Sequence, residues 1–307
     1  MTLKSLARSL VRMTKRPFRR RPRIVMTLLC RDEEDIIGYN IAYHLAQGVD
    51  FVIATDNGSQ DRTPLLLERF ARQGKLHLLH EPGLTHDQGI WVTRMARMAA
   101  KKFDADWVIN NDADEFWLSE QGTVREVLAA IPSGTDCLSV PRVDMLPPRS
   151  TDLAFYESML VHNGNGRSVH GTTLAPKACH RAYSDIRIAQ GNHFAKRRGA
   201  RLTDETNHPL RIFHYPLRSL DHLQRRIRRG AIALEPGSRM NATSADRWRK
   251  LYGNHLQPGQ IESYYSERAP GMEQIEAGIA SGAWIRDTRI RDALRLLDPA
   301  LVAADGM

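Results

Sequence analysis

The apolar positions fall into short runs that alternate with amphipathic stretches. Ile24–Cys30 is an almost unbroken apolar run, interrupted only by Thr27, and reads as a buried strand from about residue 23. Asp32-Glu33-Glu34-Asp35 then places acids where a helix N-terminus favours them, and a helix follows to about Gln47, stopped by Gly48. Phe51–Thr55 is the next strand and runs into the turn Asp56-Asn57-Gly58-Ser59. Thr63 as N-cap with Pro64 at the first helical position opens a helix that ends near Gly74. Leu76–His80 reads as a third strand, Asp87–Phe103 as a helix, and Trp107–Asn110 as a fourth strand ending in Asn111-Asp112-Ala113-Asp114. Strands alternating with helices predict an α/β fold, a mainly parallel sheet flanked by helices.

Beyond Asp114 the pattern loosens. A helix over Val124–Ala130, strands at Cys137–Val140 and Arg211–His214, and a helix Leu217–Arg229 ended by Gly230 are predicted; residues 141–210, rich in Gly, Pro, His and Arg, read as strands mixed with long loops, and the remainder to 307 as mostly helical. The expected organisation is a basic leader at 1–23, an α/β domain at 24–215, and a helical extension at 216–307 packed on that domain.

In parallel α/β sheets, ligands bind beyond the carboxyl ends of the strands. Three of the four strands end in acid-bearing loops, around Arg31-Asp32-Glu33, Asp56 and Asp112-Ala113-Asp114. These loops are expected to share one rim. Two carboxylates one residue apart repel each other, and a divalent cation relieves that repulsion; oxygen ligands suit magnesium or manganese. Such a metal would neutralise the paired phosphates of a leaving group. The same D-x-D also occurs as a solvated turn. Asp56 suits either a base or ribose contact or a turn of its own, and Arg31, Asp32 and Glu33 suit either a nucleotide contact or a helix start.

Charge changes one part of this picture. Of 44 basic residues in the 307-residue chain, nine lie within residues 1–23, where there is no acid; the remaining 35 match the 35 acidic residues. Leu3, Leu6, Leu10 and Met13 recur at helical spacing opposite Lys4, Arg8, Arg12 and Lys15. The leader therefore reads either as a helix on an anionic membrane surface or as a solvated, disordered tail. The body has no basic face interleaved with aromatics, so no nucleic-acid partner is expected. No apolar run approaches the ~20 residues of a spanning helix, and the basic start lacks the apolar region of a secretory signal. Three scattered cysteines fit a reducing compartment, so the expected location is cytoplasmic, with a peripheral position on the cytoplasmic membrane face if the leader binds lipid.

Four segments in order carry a resemblance: V-M-T-L-L-C-R-D-E-E-D-I-I, then F-V-I-A-T-D-N-G-S-Q-D-R-T, then W-V-I-N-N-D-A-D-E-F-W, and finally H-Y-P-L-R-S-L-D-H-L-Q-R-R-I-R-R-G. Together they resemble glycosyltransferase family 2, in the bacterial branch whose D-x-D extends to D-x-D-E-F. The likeness spans roughly 24–230 and is strongest over 28–117. It departs at Asp32, where relatives carry Asn, and in V-P-R-V-D-M-L-P-P, which stands where relatives commonly have an aromatic, glycine-containing segment that often shapes their acceptor site.

The resemblance implies a GT-A, Rossmann-like domain. It implies metal-dependent transfer of a sugar from a nucleotide-diphosphate donor to an acceptor hydroxyl, commonly with inversion, in cell-surface polysaccharide or glycolipid synthesis. Carried over by position, Asp56 lies near the base, Asp112 near ribose and metal, and Asp114 and His214 on the metal, which is Mn2+ or Mg2+. Arg31, Glu33 and Lys177 are expected to line the nucleotide-sugar site. Arg225 and Arg226 suit phosphate contacts or a solvated helix face.

The acceptor proton needs a base; Asp144 and His193 lead the candidates, ahead of Asp204 and Glu205. A sugar-phosphate nucleotidyltransferase is the enzymatic alternative, disfavoured because the loop after the first strand is acidic where a triphosphate would need cations. A non-enzymatic basic-tailed adaptor of membrane or nucleic acid is the other.

Overall fold

A computed structural model of the chain describes residues 21–82, 88–149, 152–164, 166, 168, 172–232 and 259–302. Nearly all of the predicted basic leader lies outside these residues. Its first half follows the expected alternation: β1 (Ile24–Cys30), α1 (Ile37–Ala46), β2 (Phe51–Asp56), α2 (Thr63–Arg72), β3 (Leu76–His80), α3 (Gln88–Lys102) and β4 (Trp107–Asp112). Then come β5 (Glu115–Ser119), α4 (Val124–Ala130), β6 (Cys137–Val140), β7 (Arg142–Asp144), α5 (Phe155–Ser158) and β8 (Val161–Asn163). β9 (Lys177–Arg181), β10 (Ile186–Ile188), β11 (Ala195–Arg197), β12 (Ala200–Arg201), β13 (Asp204–Glu205) and β14 (Leu210–His214) lead to α6 (Leu220–Ile232). The last described segment holds α7 (Gln260–Ser266), α8 (Met272–Ala280), β15 (Trp284–Arg286), α9 (Arg289–Leu294) and α10 (Pro299–Val302).

The main sheet has seven strands in the order β13-β6-β9-β4-β1-β2-β3. β1 is central and pairs in parallel with β2 and β4, and β2 pairs in parallel with β3. A strand covered on both faces reads as a continuous apolar run, which is what Ile24–Cys30 is. Its side chains alternate between two cores. Ile24, Met26 and Leu28 meet Ile37, Ile41, Leu66, Phe70 and Leu128 of α1, α2 and α4. Val25 meets Val92, Met95 and Ala99 of α3 on the other face. The sheet is mixed rather than wholly parallel: β9, which the pattern did not announce, enters antiparallel between β4 and β6.

Three local expectations are corrected. The acids Asp32–Asp35 do not sit in the first turn of a helix, since α1 begins at Ile37 with no acid in its first turn. They form a loop in which Asp32 takes a positive φ of 55°. Thr63 is the first residue of α2 rather than its cap, because its hydroxyl accepts the Glu33 amide at 2.8 Å. Gly230 does not end α6, which continues to Ile232.

A second sheet, β5-β14-β7, stands at the carboxyl end of β4. β14 is antiparallel to β5 and parallel to β7, so His214 has Glu115 on one side and Asp144 on the other. Phe116, Val143, Met145, Phe213 and Tyr215 anchor this sheet in its own buried cluster. That small core fixes where the polar ends of its strands point.

Candidate active site

The rim is assembled from the ends of β1, β2 and β4. Cys30 pairs with Asp56, and Leu29 with Asp112, so the loops that follow flank the end of β1 on either side. The first two loops are laced together. Ser59 donates its hydroxyl to Asp56 Oδ1 at 2.5 Å and accepts the Asp32 amide at 2.9 Å. Asp32 Oδ1 accepts the amides of Gln60 and Asp61, while Asp61 accepts that of Glu34. Asp56 therefore makes the local turn its sequence allows. It is 4% exposed, with its second oxygen 3.9 Å from His80. Arg31 lies 3.5 Å from Asp32.

The turn Asp112-Ala113-Asp114 is held by its backbone. Buried Asn40 donates to the carbonyls of Ala113 and Glu115 at 2.9 and 2.8 Å and accepts from Asn111, which in turn accepts the Trp117 indole N–H. His44 completes the clamp: its Nδ1–H donates to the Asn40 carbonyl and its Nε2 accepts the Trp117 amide. Burial pushes the His44 pKa down to about 4, which keeps the neutral form this pairing needs. The Tyr215 amide donates to the Asp114 carbonyl at 2.8 Å and joins the turn to β14.

The two carboxylates of the D-x-D part company. Asp112 is paired with the Lys177 ammonium and accepts from Asn192 at 3.0 Å and Gln88 at 3.2 Å. Lys177 is 1% exposed and also lies 3.2 Å from Glu115, which Arg142 reaches at 2.7 Å. Burial opposes the Lys177 charge, but Asp112 and Glu115 outweigh it and raise its pKa. Lys177 is thus part of a buried ion cluster behind the rim.

Asp114 faces His214 instead. Its Oδ2 lies 3.2 Å from His214 Nε2, and the opposite ring nitrogen, Nδ1, lies 2.7 Å from Asp144 Oδ1. Burial would lower the His214 pKa, yet Asp114 and Asp144 together raise it to about 9. Burial likewise works against the Asp114 carboxylate, but His214, Arg226 and Arg218 hold its pKa well below the usual range. Arg218, 4% exposed, donates to Glu33 and chelates Asp35 at 2.6 and 2.9 Å. Burial pushes Glu33 up to about 7 despite this partner, whereas Arg218 holds Asp35 down at about 2.

The donor set can be tested against a hard divalent cation. With Nδ1–H given to Asp144, His214 Nε2 and Asp114 Oδ2 are both electron-pair donors, and they face each other. Something positive belongs between them: the imidazolium proton, or a metal in its place. A carboxylate that orients a histidine in this way is the usual outer support of a metal ligand. Among the described residues no group of three His, Cys, Asp or Glu side chains converges as a closed cage. Two protein ligands suit an ion such as Mg2+ that completes its shell with phosphates and water.

Of the base candidates, Asp144 is 2% exposed and committed to His214. His193 gives Nδ1–H to the Pro176 carbonyl at 2.8 Å, which leaves Nε2 with the lone pair. Burial lowers its pKa from 6.5. Asp204 lies in β13 and receives an Arg201 guanidinium, and Arg225 is paired with Asp221 on an exposed helix face. Arg226 donates to the Pro216 carbonyl. Sequence reasoning assigned no role to Glu115, Arg142, Asn192 or Arg218. Glu115 had a signal as the acid of the D-x-D-E-F extension, and Arg218 as the charged residue four places after His214 in H-Y-P-L-R.

No family model matches the chain, and no curated protein sequence matches it. Solved structures give remote likenesses. Residues 1–349 of S. aureus TarS, in complex with UDP, are 13% identical, with 76% of this chain and 71% of that one covered at a TM-score of 0.38. The mannosyltransferase PcManGT from Pyrobaculum calidifontis, in complex with GDP-Man and Mn2+, is 17% identical, with 97% and 88% covered at 0.40. Glucosyl-3-phosphoglycerate synthase from Mycobacterium tuberculosis, with Mn2+, UDP and glucosyl-3-phosphoglycerate, is 21% identical, with 39% and 44% covered at 0.29.

Proposed function

We propose that this chain is a metal-dependent glycosyltransferase of the family 2 type, moving a sugar from a nucleotide-diphosphate donor to an acceptor hydroxyl. The observation that carries this reading is the line Asp144–His214–Asp114 at the carboxyl end of the parallel strands, with Nε2 and Oδ2 turned towards each other 3.2 Å apart. Asp114 and His214 would hold Mn2+ or Mg2+, which supplies Lewis-acid stabilisation of the departing diphosphate. Asp144 keeps the imidazole in the tautomer that presents Nε2. Arg218 and Arg226, close enough to depress the Asp114 pKa, bring fixed positive charge to the same place. Asp56 and Asp112 border the nucleoside, with Arg31 and Glu33 beside them, and Lys177 orients Asp112 from behind.

The first loop, R-D-E-E-D, disfavours the nucleotidyltransferase alternative, because it offers a triphosphate a single cation of its own, Arg31, among four acids. No helix of the described residues is long and apolar enough to cross a membrane. Membrane attachment through residues 1–23 and a role in cell-surface glycan synthesis remain part of the proposal.

A thermal-shift panel of UDP- and GDP-sugars, with and without Mn2+, tests the reading. A donor that binds the native state should raise Tm, and more so with Mn2+. No shift with any nucleotide sugar would remove the basis for transfer.

The acceptor proton goes to His193 Nε2 in this scheme. At saturating Mn2+, which keeps the proton off His214, the rate should then be flat above about pH 6.5 and fall as the His193 imidazole is protonated below it. Because burial lowers the pKa, the fall should begin below the free-histidine value. A His193→Gln protein should lose that limb and most of its rate while binding donor normally; an unchanged profile would point to another base.

A further inference from the structure

A groove of about 940 Å³ runs between α3 and the β10-β11-β12 sheet, on the face of the main sheet opposite α1 and α2. Its walls are tied together: Thr93 accepts the Ile188 amide at 2.9 Å, and Arg97 donates to the Ile186 carbonyl at 2.7 Å. Among the described residues the lining carries cations and no carboxylate. Arg94 is neutralised by Glu81, but Lys101, Lys102, Arg187 and Lys196 have no carboxylate at salt-bridge distance among the described residues. The apolar part includes Ile90, 66% exposed, and Phe194.

Ile90, Arg94, Arg97 and Lys101 follow each other at spacings of four, three and four, so they form one stripe along the helix. At 1.5 Å per residue that stripe is roughly 16 Å long. One end of it meets the rim. Gln190, in the groove wall, donates to Gln88 at 3.4 Å, and the Gln88 amide reaches Asp112 at 3.2 Å.

We infer that this groove binds an extended anionic glycan, the acceptor chain of the transfer reaction, and leads its end towards Asp112. The direction of the chain rests on the proposed transfer reaction; the binding site does not. Cations without a carboxylate partner select carboxylate or phosphate groups repeated along a polymer. Apolar side chains between them suit the C–H faces of sugar rings. A groove between two walls suits a strand laid within it better than a flat lipid surface.

The test uses the full chain, a fluorescein-labelled oligogalacturonate as anionic probe, and a maltohexaose of similar size as neutral control. Two charge-reversed proteins are compared, Lys101→Glu/Arg187→Glu in the groove and Arg72→Glu/Lys75→Glu at the exposed end of α2. Both carry the same charge change and the same leader. The groove variant should bind oligogalacturonate about tenfold more weakly, and the control variant should stay within about twofold of the wild type. Maltohexaose should not bind.

Equal losses in the two variants, no loss in the groove variant, or equal binding of maltohexaose would overturn the assignment. So would groove-dependent binding of phosphatidylglycerol vesicles without binding of oligogalacturonate, which would make the surface a lipid site. UDP binding with Mn2+, measured on the same proteins, should be unchanged in both variants. If the glycan binds in the groove but no nucleotide diphosphate binds the rim, the groove stands and the transfer reaction fails.

Discussion

Replacing Asp114 by Ala is expected to slow sugar release from the donor by about a thousandfold, with the fold intact. The side chain supplies one of two electron pairs that face each other across 3.2 Å, and no other described carboxylate bonds the His214 Nε2. Loss of a ligand that places positive charge on the leaving diphosphate costs several kcal/mol of transition-state stabilisation, and ~4 kcal/mol is about three powers of ten in rate. Folding should be spared because the turn is held by backbone atoms, through Asn40 on Ala113 and Glu115 and through Tyr215 on the Asp114 carbonyl.

An Asp144→Ala protein should be affected less, by about 10- to 100-fold in metal affinity, since Asp144 acts only through the orientation of His214. Circular dichroism and donor hydrolysis with matched Mn2+ concentrations check both. An Asp144 variant more damaged than the Asp114 variant would reverse the roles assigned to them.

The second large effect is on stability. Lys177→Met should destabilise the protein by about 3–5 kcal/mol, measured by urea unfolding. The ammonium is buried between Asp112 and Glu115, and Glu115 is itself fully buried, with one oxygen shared by Lys177 and Arg142 and the other without a hydrogen-bond partner. Methionine matches the length of the lysine stem but leaves Glu115 compensated by Arg142 alone. Adding Glu115→Gln to Lys177→Met should recover part of the loss, because the uncompensated charge disappears with it. A loss below about 1 kcal/mol, or no coupling between the two substitutions, would mean that the cluster is not held together by charge.

The difference between these two sites explains what the sequence could reveal. β1 to β4 are apolar runs between turn residues, and their order alone predicts a rim lined by Asp56, Asp112 and Asp114. β9 reads K-A-C-H-R, which shows no strand pattern because its buried residues include a histidine and a lysine, and the burial of the lysine depends on partners far away in the chain. Lys177 needs Asp112, 65 residues earlier, and that pairing is a property of the folded chain. Asp144 and His214 stand 70 residues apart and meet only because β7 and β14 align in parallel register.

A base candidate and a metal candidate thus turned out to be hydrogen-bonded partners. The acids of Asp32–Asp35 were legible as acids but not as a loop. Ser59, Asp61 and Thr63 use their side chains on that loop's amides, whereas local pattern assigned Thr63 to a helix cap.

Calorimetric titration of UDP and GDP into the wild-type and Asp114→Ala proteins, each with and without Mn2+, addresses the centre of this scheme. Mn2+ should tighten nucleotide binding to the wild type by at least about tenfold and leave the variant's affinity where it was without metal. Equal tightening in both proteins would place the cation elsewhere and dissolve the link between the Asp144–His214–Asp114 line and sugar transfer.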